Sequence, residues 1–179
     1  MANIKLSTMQ LQLILVSMAL ATAAATTTTT HLQFYMHDIF TATADSPATG
    51  VTVAKGTAGL PGDPNVHFGD IHVIDDPLTE GPDPSSPAVG QVQGFEVFAV
   101  QQEISVMLSA NIVFTAGKYN GSYLVVLGKD AFFDEVRELP VIGGSGRFRG
   151  ATGYSLFTTH GFNDTTKNAV VKIDVYLRV

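Results

Sequence analysis

The sequence predicts an all-β fold, with about eight short antiparallel strands closed into a barrel or packed as a sandwich. Three observations point there. Segments such as 104–115 (ISVMLSANIVFT) and 169–179 alternate apolar and polar residues, the period of two expected of antiparallel strands with one buried face. Turn-forming sequences rich in Gly, Asn and Asp recur at short intervals between such segments. No convincing long amphipathic helix interrupts them after residue 31. Closure into a barrel would also remove the exposed strand edges that invite aggregation.

In chain order, the first 25 residues stand apart. Lys5 gives a positive start, Leu11–Leu20 an apolar run, and Ala21–Ala25 small residues at A-x-A spacing. This combination predicts a secretory signal peptide over 1–25, too short and wrongly flanked for a membrane span. The Thr-rich stretch 26–30 reads as a disordered start, and 31–179 as one folded domain. No later segment approaches the roughly 20 apolar residues of a membrane helix.

Strands are predicted at 31–41, 50–57, 66–75, 91–101, 104–115, 122–128, 152–161 and 169–179. In 104–115, Val106, Leu108, Ala110, Ile112 and Phe114 share a face with Ile104, against Ser105, Ser109, Asn111 and Thr115. In the last segment Val171, Ile173, Val175 and Leu177 oppose Lys172, Asp174 and Arg178. Pro-rich Pro77–Pro87 reads as a long loop, because Pro removes a ladder donor from a strand interior. Turns are expected at Gly117–Gly121, Gly143–Gly146 and Gly161–Asp164, with room for a helical turn or two in Ala131–Glu138.

Composition narrows the function. The net charge is −6 and the ten basic residues are scattered, so there is no dense footprint for nucleic acid or anionic lipid. With no cysteine, disulfides, thiol catalysis and thiolate metal sites are all excluded. His31, His37, His67, His72 and His160 show no metal-ligand spacing. The cluster Gly143–Gly150 lacks the Lys-Ser/Thr ending of a phosphate loop, and Ser145 does not sit in G-x-S-x-G. Sequons at Asn120 and Asn163 fall in turn-like sequence, consistent with a secreted glycoprotein.

The acidic residues say more. In Gln33–Phe40 (QFYMHDIF), Asp38 shares one strand face with Phe34, Met36 and Phe40. An ionised carboxylate there needs a partner or a wet cavity. Glu96 is a second such carboxylate, on the face of Phe98 and Val100. Asp130 and Arg137 flank a break between strands. Asp75-Asp76-Pro77 reads as a strand end, with at least one of the two carboxylates a turn cap.

Five blocks carry a family resemblance. These are Phe34–Asp38 (FYMHD), Phe68–Pro82 (FGDIHVIDDPLTEGP), Val89–Gly94 (VGQVQG), Gly117–Ser122 (GKYNGS) and Val136–Phe148 (VRELPVIGGSGRF). In this order they resemble the plant dirigent proteins, over essentially all of 31–179. The resemblance implies an eight-stranded antiparallel β-barrel similar to allene oxide cyclase, a homotrimer, and secretion to the apoplast. It implies no cofactor and no oxidising centre. Such proteins bind phenoxy radicals made by a separate laccase or peroxidase and guide their stereoselective coupling, as in lignan biosynthesis. Some relatives instead close a pterocarpan ring by dehydration through a quinone methide, and a cell-wall-associated binding or structural protein is the third expectation.

Carried over residue by residue, the family's pocket residues are Asp38, Asp130 and Arg137, in catalytic roles. Phe34, Met36, Phe40, Glu96 and Phe98 are then candidates to hold an aromatic substrate. The lignan-forming members carry a cysteine pair, and tyrosines where this chain has Glu96 and Phe98. These differences resemble the dirigent-like subgroup instead.

Overall fold

The structure is a computed structural model that describes residues 29–44 and 46–178. The expected signal peptide and Thr26–Thr28 lie outside the described residues, as does Val179. The strands are β1 (Thr29–Asp38), β2 (Gly50–Ala54), β3 (Ala58–Leu60), β4 (Asp63–Phe68), β5 (Ile71–Thr79) and β6 (Ala88–Val97). β7 (Val106–Phe114), β8 (Tyr123–Asp130), β9 (Arg137–Ser145), β10 (Thr152–Phe162) and β11 (Ala169–Arg178) follow. No helix among the described residues is long and apolar enough to cross a membrane.

Eight of these strands form a closed antiparallel barrel. The hydrogen-bonded order is β1-β11-β10-β9-β8-β7-β6-β5, and β5 returns to β1 through Tyr35↔Thr79 and Met36↔Leu78. β2 extends the sheet beyond β5, and β3 with β4 makes a separate small hairpin. In β7 and β11 the inward parity is the one the alternation foresees. Val106, Leu108, Ala110, Ile112 and Phe114 from β7 are buried, and so are Val171, Ile173, Val175 and Leu177 from β11.

Several boundaries differ from the sequence expectation, each for a physical reason. Thr29 and Thr30 of the Thr-rich run belong to β1, where they pair with Arg178 and Leu177. The stretch 66–75 is two strands, because Gly69 takes a φ of +92° and turns the chain between β4 and β5. The expected loop from Pro77 begins later, since β5 continues to Thr79. Pro77 fits because the β2 rungs stop at Ile74 and the β1 rungs start at Leu78, leaving its outer flank without a ladder partner.

Of the barrel strands, β9 is the one the alternation does not reveal, and the short β3 outside the barrel is likewise unforeseen. Ala131–Glu138 forms no helix; residues 132–136 turn, and Arg137 and Glu138 already belong to β9. Gly143 and Gly144, expected in a turn, lie in the same strand. The turn comes at Gly146, with φ +60°. Gly161 and Phe162 likewise complete β10, beside a bulge between Thr159 and Gly161. The Pro-rich connection after β5 is anchored: Thr79 Oγ1 donates to the Gly81 carbonyl at 2.7 Å and accepts from buried His37 Nε2 at 2.7 Å.

Candidate functional site

Antiparallel alternation sorts the chemistry to one end of the barrel. The C-terminal ends of β1, β6, β8 and β10 share a rim with the N-terminal ends of β5, β7, β9 and β11. Asp38, Glu96, Asp130, Arg137 and Thr159 therefore converge there, although up to 121 positions separate them in the chain. A cavity of about 830 Å³ opens at this rim, walled by Met36, Phe40, Phe98, Phe132 and Phe157 among others. Its size and its apolar walls with a few convergent polar groups suit a small aromatic ligand.

One wall is an ion pair. Asp130 Oδ1 accepts from Arg137 Nε at 2.8 Å, with side chains only 5% and 3% exposed. Arg137 Nη1 also donates to Thr159 Oγ1 at 2.7 Å. Burial raises the Asp130 pKa, and the adjacent guanidinium only partly opposes it. The pair is held from two strands whose inward positions end in Asp130 and begin in Arg137, with Phe157 opposite Arg137 on β10.

The facing wall is a cluster of carboxyls. Asp38 lines the cavity, and its Oδ1 is buried without a hydrogen-bond partner. Burial first, then the charges of Asp76 and Glu96, hold its pKa well above the usual carboxylate range. Asp76 is fully buried. Its Oδ1 accepts from Thr49 Oγ1 at 2.6 Å, while Oδ2 has no partner. Burial pushes Asp76 up from 3.8 to about 7; the Thr49 hydrogen bond works against this, and Glu96 and Asp75 add to it.

Glu96 sits beside these groups. It is buried, pairs across strands with His72, and has Oε2 3.8 Å from His72 Nδ1. The His72 ring packs between Phe40 and Phe98, with centroid separations of 4.8 and 5.2 Å. Close strand approach on this wall depends on Gly94: a Cβ there would lie 2.2 Å from the Ser109 carbonyl oxygen.

Of the residues singled out from sequence, the cavity gathers Asp38, Asp130, Arg137, Met36, Phe40, Glu96 and Phe98. Phe34 is not among its walls. It has the same parity as Met36 but sits deeper, in edge contact with Phe114 at 5.9 Å. Asn120 lies exposed in the β7–β8 connection, and Asn163 exposed in the β10–β11 turn. Reading the sequence missed Asp76, His72, Thr49 and Thr159. Asp75-Asp76-Pro77 reads in sequence as a strand end with at least one turn cap, yet neither Asp75 nor Asp76 caps a turn. Both are inside β5, and Asp76 shares parity with buried Ile74 and Leu78.

The model of a family described as "Dirigent-like protein" matches residues 29–178. Dirigent protein 1 of Arabidopsis thaliana is 45% identical over 148 residues, covering 82% of this chain and 77% of that protein. Pterocarpan synthase 1 of Glycine max is 36% identical over 149 residues, covering 82% and 77%. Among solved structures, the pterocarpan synthase dirigent protein GePTS1 superposes with a TM-score of 0.76 at 33% identity. That match covers 85% of this chain and 88% of the other.

Proposed function

The chain belongs to the dirigent family, and from that membership we propose that it steers the stereoselective coupling of phenoxy radicals made by a separate laccase or peroxidase. The observation that carries this reading is the cavity: about 830 Å³, aromatic-walled, with a guanidinium–carboxylate pair on one side and carboxyls on the other. Phe40, Phe98 and Phe132 stack or edge against aromatic rings and fix their planes. The polar walls receive phenolic oxygens at either end. Orientation of the rings selects the face of attack, and positioning of this kind supplies most of what such a protein must contribute.

A second reading has its own support. Asp38 and Asp130 both have raised pKa values, which keeps carboxyls able to give or take a proton near neutrality. A dehydratase that closes a ring through a quinone methide needs that ability: an acid to assist loss of the leaving hydroxyl, and a base to take the phenol proton. Asp38 and Asp130 hold those two roles, and Arg137, always charged, holds Asp130 or a phenolate oxygen.

In this proposal the chain is secreted to the apoplast after loss of residues 1–25, and carries glycans on Asn120 and Asn163. It assembles as a homotrimer through an outer apolar face. Val51, Val73, Phe95 and Leu127 are exposed and stand in register across β2, β5, β6 and β8, with Ser109 of β7 between the last two.

The test uses two incubations: coniferyl alcohol with a laccase, and an isoflavanol without oxidant, each analysed by chiral chromatography. An enantiomeric excess in the first supports radical steering, and racemic product there rejects lignan coupling. Accelerated ring closure in the second supports the dehydratase. Asp38→Asn is expected to lower whichever activity is found by at least about a hundredfold.

A further inference from the structure

Asp76 is a buried carboxyl that the family pattern does not assign to the site, and its surroundings give it a task. The β1–β5 register pairs Tyr35 with Thr79 and Met36 with Leu78. Continued by two residues, it sets Asp38 opposite Asp76, both on the inward face. Each has one buried oxygen without a partner, Oδ1 of Asp38 and Oδ2 of Asp76. A buried carboxylate oxygen left unbonded is costly, and here two occur on neighbouring strands.

The second oxygen of Asp76 is fixed. Thr49 Oγ1 accepts from the Ile39 N–H at 3.0 Å, so its own proton is free to go to Asp76 Oδ1 at 2.6 Å. This contact holds the Asp76 carboxyl in one orientation, on the loop that leaves β1 just after Asp38. We propose that Asp38 and Asp76 share a single proton, and that Asp76 is a positioning residue that sets the form in which Asp38 meets the ligand.

The pair would then carry one negative charge rather than two. With the shared proton on Asp38, Asp76 carries the pair's one negative charge and Asp38 presents an O–H as hydrogen-bond donor to a phenolic or quinone-methide oxygen. Among the described residues, no cation on the neighbouring strands neutralises the pair. From β6 the group facing it is Glu96, from β5 it is His72 paired with Glu96, and Asp75 lies beyond on the outer face. β11 presents Ala169 and Val171. The arrangement follows the rule that two close carboxyls lose their protons in separate steps that belong to the pair.

The proposal deepens the acid–base role of Asp38 and rests on that reading of the site, but its test needs no substrate. Infrared titration of the carboxyl stretch in the ligand-free protein follows the protonated buried acid directly. In the wild type one such acid should persist at pH 6. Asp76→Asn and Asp38→Asn should each lower the midpoint of the pair's upper step by at least about one pH unit, because each removes the carboxylate that holds the proton on its neighbour. Thr49→Val, which removes only the hydroxyl, should raise the midpoint and serves as the check should an Asn variant fail to fold.

A wild type with no protonated buried carboxyl at pH 6 overturns the proposal. So does a midpoint that stays put in the Asn variants, or in Thr49→Val where these do not fold. If the coupling is found while Asp38→Asn leaves product composition unchanged, the functional reading fails and the shared proton stands.

Discussion

At the closed end of the barrel, Phe34, Phe114, Tyr119 and Phe148 meet ring against ring, with centroid separations of 4.8 to 5.9 Å. Leu124, Val141 and Leu177 fill the space around them. At the open end the barrel presents Asp38, Glu96, Asp130 and Arg137 around a cavity. The first end gains stability from apolar burial and dispersion. The second holds carboxyls out of water, which raises their pKa values and works against the fold. One end keeps the barrel closed so that the other can hold groups no stable core would choose.

The largest effect should come from breaking the closed end. Phe114→Ala removes the ring shared by Phe34, Tyr119 and Phe148 and should cost about 3–5 kcal/mol, read from urea unfolding. Next comes the ion pair at the open end. Arg137→Leu leaves Asp130 buried without its partner and should cost about 3 kcal/mol at pH 7. The loss should shrink at pH 5, where Asp130 can take up a proton instead. Equal losses at the two pH values would show that the pair acts by packing rather than charge.

A third effect, smaller per pH unit, is spread over pH. Asp76 has a raised pKa, so between about 4 and 7 the folded chain holds a proton that the unfolded chain has released. Its contribution is full below about pH 4 and is lost as pH rises through about 7, by up to about 1.4 kcal/mol per pH unit. Asp76→Asn should flatten that slope, measured as urea midpoints from pH 4 to 8. The smallest effect belongs to the mouth. Exposed Lys167 reaches exposed Asp164 at 2.7 Å and half-buried Asp63 at 3.9 Å. Lys167→Ala should leave the urea midpoint unchanged, as expected of solvated pairs.

Parity made much of this legible. Asp38 stood out from its apolar neighbours on paper, and β7 and β11 show the foreseen faces. The same argument applies to Asp76 between Ile74 and Leu78, but Pro77 disguised a strand as a turn. β9 was hidden in the same way by Pro140, Gly143 and Gly144, whose local preferences oppose a strand. Tertiary pairing with β8 and β10 overrides those preferences.

Depth was not legible at all. Phe34, Met36 and Phe40 share one parity, yet only the latter two reach the cavity. A period of two tells inside from outside but not how far along the barrel axis a side chain lies.

The sequence by itself determined the class of fold, the inward faces of its clearest strands and the family, because alternation and motif order are local properties of the chain. Only the tertiary structure decided that Asp38, Asp76, Glu96 and the Asp130–Arg137 pair share one rim. Closure does this: it joins β1 to β5, strands more than thirty residues apart, and sets their registers together. Burial then changes the chemistry of the carboxyls, since desolvation depends on every strand around them and on no single stretch of sequence.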